Sequence, residues 1–498
     1  MTKCLQELTA LLPQATISGE LSVTVTSVTA DSRQAVPGTL FICLAGSHVD
    51  GHDHAAGAVA SGAVAVLAER ELNIEGATVI TVPDTRAAMQ LLAPAFFDYP
   101  ARRLRMIGVT GTNGKTTITY LIRAILRQAG FRVGLLGTIQ NMIDEEAIPV
   151  KNTTPDVVDL QSTLAEMQQR GIEYVVMEVS SHALALNRVA GCEFDVGVFT
   201  NLTRDHLDFH ETFDNYATAK TELFRMLGRN GAIKPRKAAI INRDDPAGIL
   251  MQQAAACPVI TYGIDGRWDI TAKDLRIEAD GVNCTLTGLY GEIPLQLSIT
   301  GKFNVYNVLA AVGAARAEGI GLPDIITALQ SFGSVDGRFE LVREGQPYTV
   351  VVDYSHTPDS LENALKTAAE FISGKIIAVF GCGGDRDRTK RPIMGRVAAE
   401  HADIVLATSD NPRSEKPEQI LTEVEVGIRA AMADGCRAQQ YEVIEDRRQA
   451  IVRAIGMAQA GDLVMIAGKG HETYQILHDK TIHFDDREVA RETIRRMR

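Results

Sequence analysis

A strand-like run, Leu104 to Val109, leads into Gly108-Val-Thr-Gly111-Thr-Asn-Gly114-Lys115-Thr116-Thr117, and a helical pattern follows at once. Glycines in such a turn let backbone N–H groups approach anionic oxygens, the helix start adds positive potential, and a lysine supplies a point charge. Beyond Lys115, residues Ile118, Leu121, Ile122 and Ile125 recur at i, i+3, i+4 and i+7, which predicts an amphipathic helix. Strand, glycine-rich turn and helix in this order commit the chain to an open α/β sheet with a phosphate loop. The usual G-x-x-x-x-G-K-[ST] pattern would put glycine at 109; Val109 stands there, so the loop is a variant with Gly111 inside it. The phosphate-binding residues expected are Gly111, Thr112, Asn113, Gly114, Lys115, Thr116 and Thr117, with the Thr116 hydroxyl suited to ligating Mg2+.

At 498 residues the chain has room for about three domains. The first region, residues 1–101, alternates short β-rich runs (23–28, 40–44, 63–67, 78–82) with helical patterns and ends where Tyr99-Pro100 breaks both periodicities. The second, 102–336, carries the phosphate loop, with strands expected at 133–137, 174–179, 196–200 and 238–242. Near its end Leu275 to Ala279 and Val282 to Leu286 alternate around Asp280-Gly281, which predicts a hairpin. With 295–299 this forms an antiparallel annex, closed by a helix over 305–317. The third, 337–498, has strands at 348–354, 375–380, 404–407 and 463–467 between helices, the pattern of a Rossmann-like doubly wound sheet.

Fifty Lys and Arg against 62 Asp and Glu leave a net charge of −12, which disfavours nucleic acid or an anionic membrane as the main partner. No apolar run reaches the 18 or so residues of a bilayer span, and the N-terminus lacks a secretory signal pattern. The seven cysteines are dispersed without a C-x-x-C pair, as reduced structural thiols would be. A monomer in the cytoplasm is expected.

Chain leaving the carboxyl end of a strand borders the ligand crevice of an open α/β sheet, so Glu178, after Tyr174 to Met177, is expected to reach a metal near Thr116. The next strand leads to Arg204-Asp205-His206-Leu-Asp208-Phe-His210, a density of His and Asp that fits metal or phosphate chemistry. A zinc site of His206, Asp208 and His210 is a competing reading. His48, His52 and His54 read as surface-loop histidines, and Lys220 by itself as an ordinary helix-surface lysine.

The ordered set TGTNGKTT, MEVSSH, TNLTRDHLDFH, YATAK, GRFE, DYSHTPDSL, GCGGDRD, DNPR and GKGHE resembles the Mur ligases of peptidoglycan synthesis over nearly the whole chain. The resemblance implies an N-terminal domain for a UDP-sugar, a central ATPase and a C-terminal Rossmann-like domain for an incoming amino acid. It implies an ATP-dependent, ADP-forming amide ligase that activates a carboxylate as an acyl phosphate, with Mg2+ present. Lys115 would be catalytic, and Lys220 matches the lysine that this family carbamylates with CO2; Glu178, His206 and the carbamate would then surround the metal. Asn304, Arg338 and Asp353 match positions near the nucleotide.

The same resemblance assigns Ala30, Ser32, Ser47, His48, Val49, Asn152, Thr153, Thr154, Ser180, Leu186 and Arg188 to the UDP-MurNAc-L-Ala-D-Glu site. Ala30 and Leu186 depart from the family's commoner residues there. Arg386, Asp410, Asn411, Pro412, Arg413, Gly468 and Glu472 would bind the amino acid. An arginine fork at 413 can take a second carboxylate bidentately, which favours meso-diaminopimelate over L-lysine, and Glu472 is suited to an ammonium. The alternatives are a lysine-adding relative, the more distant folylpolyglutamate synthetases, and a P-loop nucleotide switch that signals through a partner.

Overall fold

A computed structural model describes residues 1–46, 49–150, 152–229, 234–289 and 291–497. Three sheets organise the described chain, each wrapped by helices. Its largest holds eleven strands, and the parallel part runs Val133–Leu136, Tyr174–Glu178, Arg105–Thr110, Val196–Phe199, Ala238–Asn242 and Val259–Gly263 in spatial order. The inner strands are buried on both faces, while the outer one, Val259–Gly263, is half-buried over its first three residues. The helix Lys115–Gln128 lays Ile118, Leu121, Ile122 and Ile125 against the sheet, all at 0% exposure. Beside it packs Lys302–Ala317, whose run of Ala and Val is buried almost all round.

The hairpin around Asp280-Gly281 forms as expected, from Ile270–Glu278 and Gly281–Gly288, and Ile293–Leu297 adds to it. This annex is continuous with the central sheet. Ile270 and Thr271 pair in parallel with Tyr262 and Gly263, so the antiparallel strands continue the central sheet. The outermost strand on that side contains Pro294; on the other side Glu146–Ile148 is followed directly by Pro149.

Residues 16–81 build a five-stranded sheet in the order Thr16–Ser18, Thr78–Thr81, Ala63–Ala68, Thr39–Ile42, Ser27–Thr29. The run 23–28 is not one strand. Thr24–Val25 pairs with Lys3–Cys4, whereas Ser27–Thr29 joins the sheet, because Thr26 between them donates its backbone N–H to Gly38 and its hydroxyl to Pro37. The C-terminal six-stranded sheet runs Glu340–Leu341, Thr349–Asp353, Leu463–Ala467, Ile376–Phe380, Ile404–Ala407, Gln440–Val443; all neighbours except the first pair are parallel. All seven cysteines are free. Among the described residues no helix is long and apolar enough to cross a membrane.

Candidate active site

The phosphate loop occupies the carboxyl end of Arg105–Thr110, at the centre of the large sheet. Gly111 has φ 146°, and a Cβ there would lie 1.8 Å from Thr200 Oγ1; at Gly114 (φ 89°) it would meet Asn307 Oδ1 at 2.4 Å. Both positions therefore require glycine. Neighbouring strand ends hold the loop from the side. Asn201 Oδ1 accepts from Asn113 N (2.9 Å), and Thr200 Oγ1 and Asn201 Nδ2 donate to the Asn113 carbonyl at 2.7 and 3.1 Å. Asn304, buried in its helix, accepts from Asn307 Nδ2 through Oδ1 at 3.0 Å and so touches the loop only through that second asparagine.

Glu178 is 1% exposed and accepts from Thr116 Oγ1 and Thr138 N at 2.9 Å each, with Thr138 Oγ1 at 3.1 Å on its other oxygen. Arg338, from the start of the C-terminal region, donates through Nη2 to Thr116 Oγ1 at 3.1 Å while its guanidinium stacks 4.7 Å over Tyr354. Its Nε is buried without a partner among the described residues. Asp353 accepts from Phe339 N at 2.7 Å and from Ser355, and burial raises its carboxyl above the usual range.

Lys220 departs from the surface lysine that its own position suggested, being only 1% exposed. It lies on the apolar stripe of Phe213–Arg229, with Tyr216, Leu223, Phe224 and Leu227, all at or below 1%. Its Nζ donates to the Gly111 carbonyl at 2.8 Å and has no ion-pair partner among the described residues. Burial, and then the charge of Lys115, pushes its amine well below the usual lysine range. Lys115 Nζ donates to the carbonyls of Gly111 and Thr112 at 2.9 and 2.7 Å, and burial lowers it too.

His206 sits in a left-handed conformation (φ 54°) with its ring 4.8 Å from that of His182. The zinc reading fails on geometry. His210 is buried among the rings of His182, Phe209 and Tyr216, whereas Asp208 faces a cavity of about 520 Å³ beside Asp385 and Arg386. No group of three metal-ligating side chains forms among the described residues. His52 is likewise no surface histidine: it is 6% exposed, held by Asp50 Oδ1 at 2.5 Å and accepting from Glu69 N at 2.9 Å.

Next to Glu178, the Thr154 hydroxyl donates to the Glu178 carbonyl at 2.8 Å and accepts from Ser180 N at 3.1 Å, while Thr153 Oγ1 lies 3.1 Å from Thr138 Oγ1. Arg188 is half-buried, its Nε without a partner among the described residues, and the Leu186 carbonyl accepts from Gln90 Nε2 at 3.1 Å. Among the described residues Ser32, Val49 and Asn152 make no side-chain hydrogen bond to another candidate residue, and Ala30 packs at the margin of the N-terminal core. Ser47 and His48 lie outside the described residues.

At the carboxyl ends of the C-terminal strands a second group converges. Gly468 has φ 116°, and a Cβ there would meet Asp410 Oδ2 at 2.7 Å. Asn411 Nδ2 donates to Glu472 Oε2 at 2.8 Å. Arg413 (φ 53°) donates to the Gly384 carbonyl at 2.8 Å, and a Cβ on Gly383 would touch both Arg413 Nη1 and Arg386 Cγ. Pro412 packs its carbonyl against Gly384. Asn307, Asn201, Thr138 and Lys469 are the site residues that motif reading missed. An asparagine one turn after Asn304 was the available signal for Asn307, and Asn201 and Lys469 stand inside the motifs TNLTRDHLDFH and GKGHE; Thr138 alone is visible only in three dimensions.

Fold and site together define a three-domain P-loop protein in which a Rossmann-like domain leans onto the phosphate loop. Three family models match: the Mur ligase family catalytic domain over residues 24–97, the Mur ligase middle domain over 109–315 and the Mur ligase glutamate ligase domain over 337–470. The chain is 48% identical over 494 residues, 99% of its length and 100% of the relative's, to a UDP-N-acetylmuramoyl-L-alanyl-D-glutamate--2,6-diaminopimelate ligase of Geobacillus thermodenitrificans. A solved structure of a ligase of that name superposes with a TM-score of 0.69 at 36% identity, covering 100% of this chain and 99% of the other. The MurF ligase of Thermotoga maritima in complex with ADP shares the fold at a TM-score of 0.63 and 19% identity, over 95% of this chain and 96% of that one. The chain belongs to the Mur ligase family.

Proposed function

We propose that the chain joins meso-diaminopimelate to the γ-carboxylate of the D-glutamyl residue in UDP-MurNAc-L-Ala-D-Glu, converting ATP to ADP and phosphate in peptidoglycan precursor synthesis. The contact between Arg338 and Thr116 carries this reading, because it brings the amino-acid half of the molecule onto the phosphate loop. A free carboxylate is a poor acyl donor. Its oxygen attacks the γ-phosphorus, ADP departs, and the resulting acyl phosphate has a good leaving group for the incoming amine to displace. Catalysis is then mainly positioning and charge neutralisation, which suits Lys115 and Arg338 on the phosphates.

The donor set around Thr116 and Glu178 fits a hard divalent cation such as Mg2+, which would neutralise phosphate charge when bound there, with His206 beside it. Burial lowers the Lys220 amine and so favours its neutral form, which fits addition of CO2: an N–C bond forms, a proton leaves, and the nitrogen then carries a carbamate with two oxygens. The unpartnered Nε of Arg188, with Ser180 and the Thr153–Thr154 pair, supports a site for the peptide carboxylates. Ala30, Ser32, Ser47, His48, Val49, Asn152 and Leu186 would complete the UDP-sugar side, and Asn304 and Asp353 the nucleotide side. Arg386, Asp410, Asn411, Pro412, Arg413, Gly468 and Glu472 would hold the diaminopimelate. The division 1–101, 102–336 and 337–498 goes with these three roles. On this reading the enzyme works as a monomer in the cytoplasm, its substrates being small and water-soluble.

The test is phosphate release with Mg-ATP and UDP-MurNAc-L-Ala-D-Glu, comparing no amino acid, L-lysine and meso-diaminopimelate. Release with diaminopimelate alone, matched by tripeptide product, is expected. Lysine-dependent release would overturn the role of Arg413, and release independent of both substrates would favour a nucleotide switch.

A further inference from the structure

Lys469 follows the strand Leu463–Ala467 by two residues, and its side chain is 0% exposed. A buried ammonium is costly unless its donors are satisfied. Its Nζ donates to Glu472 Oε2 at 2.9 Å and to Asn411 Oδ1 at 3.2 Å, and lies 5.5 Å over the Tyr474 ring. Asn411 closes the triangle, donating through Nδ2 to the same Glu472 Oε2 at 2.8 Å while its Oδ1 also accepts from Ile476 N at 2.9 Å. Three side chains thus tie the segment after Ile404–Ala407 to the segment after Leu463–Ala467.

This triangle has a consequence for the ligand. Glu472 Oε2 accepts from both of these donors, whereas Oε1 has no hydrogen-bond partner among the described residues and the side chain keeps 14% exposure. The Lys469 charge also cancels that of Glu472, so the wall offers an incoming group little net negative charge. A carbon bearing an ammonium and a carboxylate gains from Glu472 Oε1 and the nearby Arg413 fork together. A lone ammonium meets an acid already paired with a cation.

We propose that Lys469 is a positioning residue that sets the pocket's preference for an amino acid whose distal carbon carries both ammonium and carboxylate over one carrying ammonium alone. This rests on the ligase reading above. The experiment is steady-state kinetics of Lys469→Met against the unaltered enzyme, with meso-diaminopimelate, L-lysine and ATP each varied. KM for diaminopimelate is expected to rise about tenfold to a hundredfold. The ratio of kcat/KM for diaminopimelate to that for lysine should fall, with KM for ATP unmoved. An unchanged diaminopimelate KM and ratio overturns the proposal, and so does a loss shared equally by both amino acids and ATP. If Lys469→Met does not fold, Lys469→Gln keeps an N–H donor and drops the charge; the same split is expected of it, and absence of the split is equally decisive. Failure of the unaltered enzyme to ligate either amino acid overturns the ligase reading as well, whereas normal ligation with an unaffected variant overturns the Lys469 role alone.

Discussion

The ammonium groups of Lys115 and Lys220 donate to one and the same acceptor, the carbonyl oxygen of Gly111, at 2.9 and 2.8 Å. Two ammonium groups on one carbonyl are poorly compensated, so burial, joined at Lys220 by the charge of Lys115, favours the neutral amine, most strongly at Lys220. Lys115 keeps a second acceptor in the Thr112 carbonyl, and Lys220 has none among the described residues. The loop glycine that gives way to phosphate oxygens is thus also the point at which a helix residue 109 positions downstream is anchored.

Lys220→Ala is expected to lose activity by on the order of 100-fold or more, as when a preorganised electrostatic group is removed. Bicarbonate or a short-chain carboxylic acid should restore part of it by filling the vacated space with oxygens. Full turnover by the variant without additive would exclude a carbamate role.

Arg413→Ala should weaken diaminopimelate far more than ATP, by about 2–4 kcal/mol in the amino-acid KM if a buried charge pair is broken. The expectation comes from the position of the guanidinium, held by the Gly384 carbonyl and close to Gly383, which Arg386 also approaches. Initial rates over a range of diaminopimelate concentrations provide the measurement, and an unaltered KM would refute it.

A pH effect on stability follows from His471. Burial, with the charges of Arg338 and Arg487, pushes its imidazole down to about 3. The unfolded chain takes up this proton near pH 6.5, so between roughly 6.5 and 3 the unfolded state holds more protons and stability falls as pH falls. Substituting His471→Asn removes this contribution, which is at most about 1.4 kcal/mol per pH unit inside the window. Urea unfolding at several pH values below neutrality should give a flatter profile for the variant; parallel profiles would contradict the assignment.

Arg447 and Asp486 are both 0% exposed and joined through two bonds of 2.7 and 2.6 Å, with Arg447 also donating to the Ala467 carbonyl just before Gly468. Removing one member strands the other charge in the interior, and Asp486→Ala is expected to cost about 3–5 kcal/mol of stability. A loss within about 1 kcal/mol in chemical denaturation would show that solvent reaches the arginine.

Legibility of the fold in the sequence followed the range of the interactions. The phosphate loop, the helix after it and the Asp280-Gly281 hairpin are set by residues within a dozen positions, and they form where local rules put them. The run 23–28 failed as one strand because Thr26 is captured by Gly38 and Pro37, partners that no periodicity announces. The annex merged with the large sheet because of a two-residue parallel pairing, Tyr262 with Ile270 and Gly263 with Thr271. In the site, Lys220 looked like a surface lysine by type, yet Tyr216, Leu223, Phe224 and Leu227 flank it at helical spacing, and that stripe was a readable sign of burial. Arg338 on Thr116 spans 222 residues, and Lys469 on Asn411 spans 58; such contacts exist only after the domains have formed.

Pro294 and Pro149 now take on a meaning beyond local geometry. A sheet eleven strands wide has two open borders, and an open border is a template on which a second chain could grow. Proline has no amide hydrogen, and in sheets it is found on edge strands with the missing donor turned to solvent. With one such residue within one border strand and another directly after the opposite one, a foreign strand laid along either side would find the row of donors interrupted. Proline at these two margins makes the broadest sheet in the molecule a poorer template for a foreign strand.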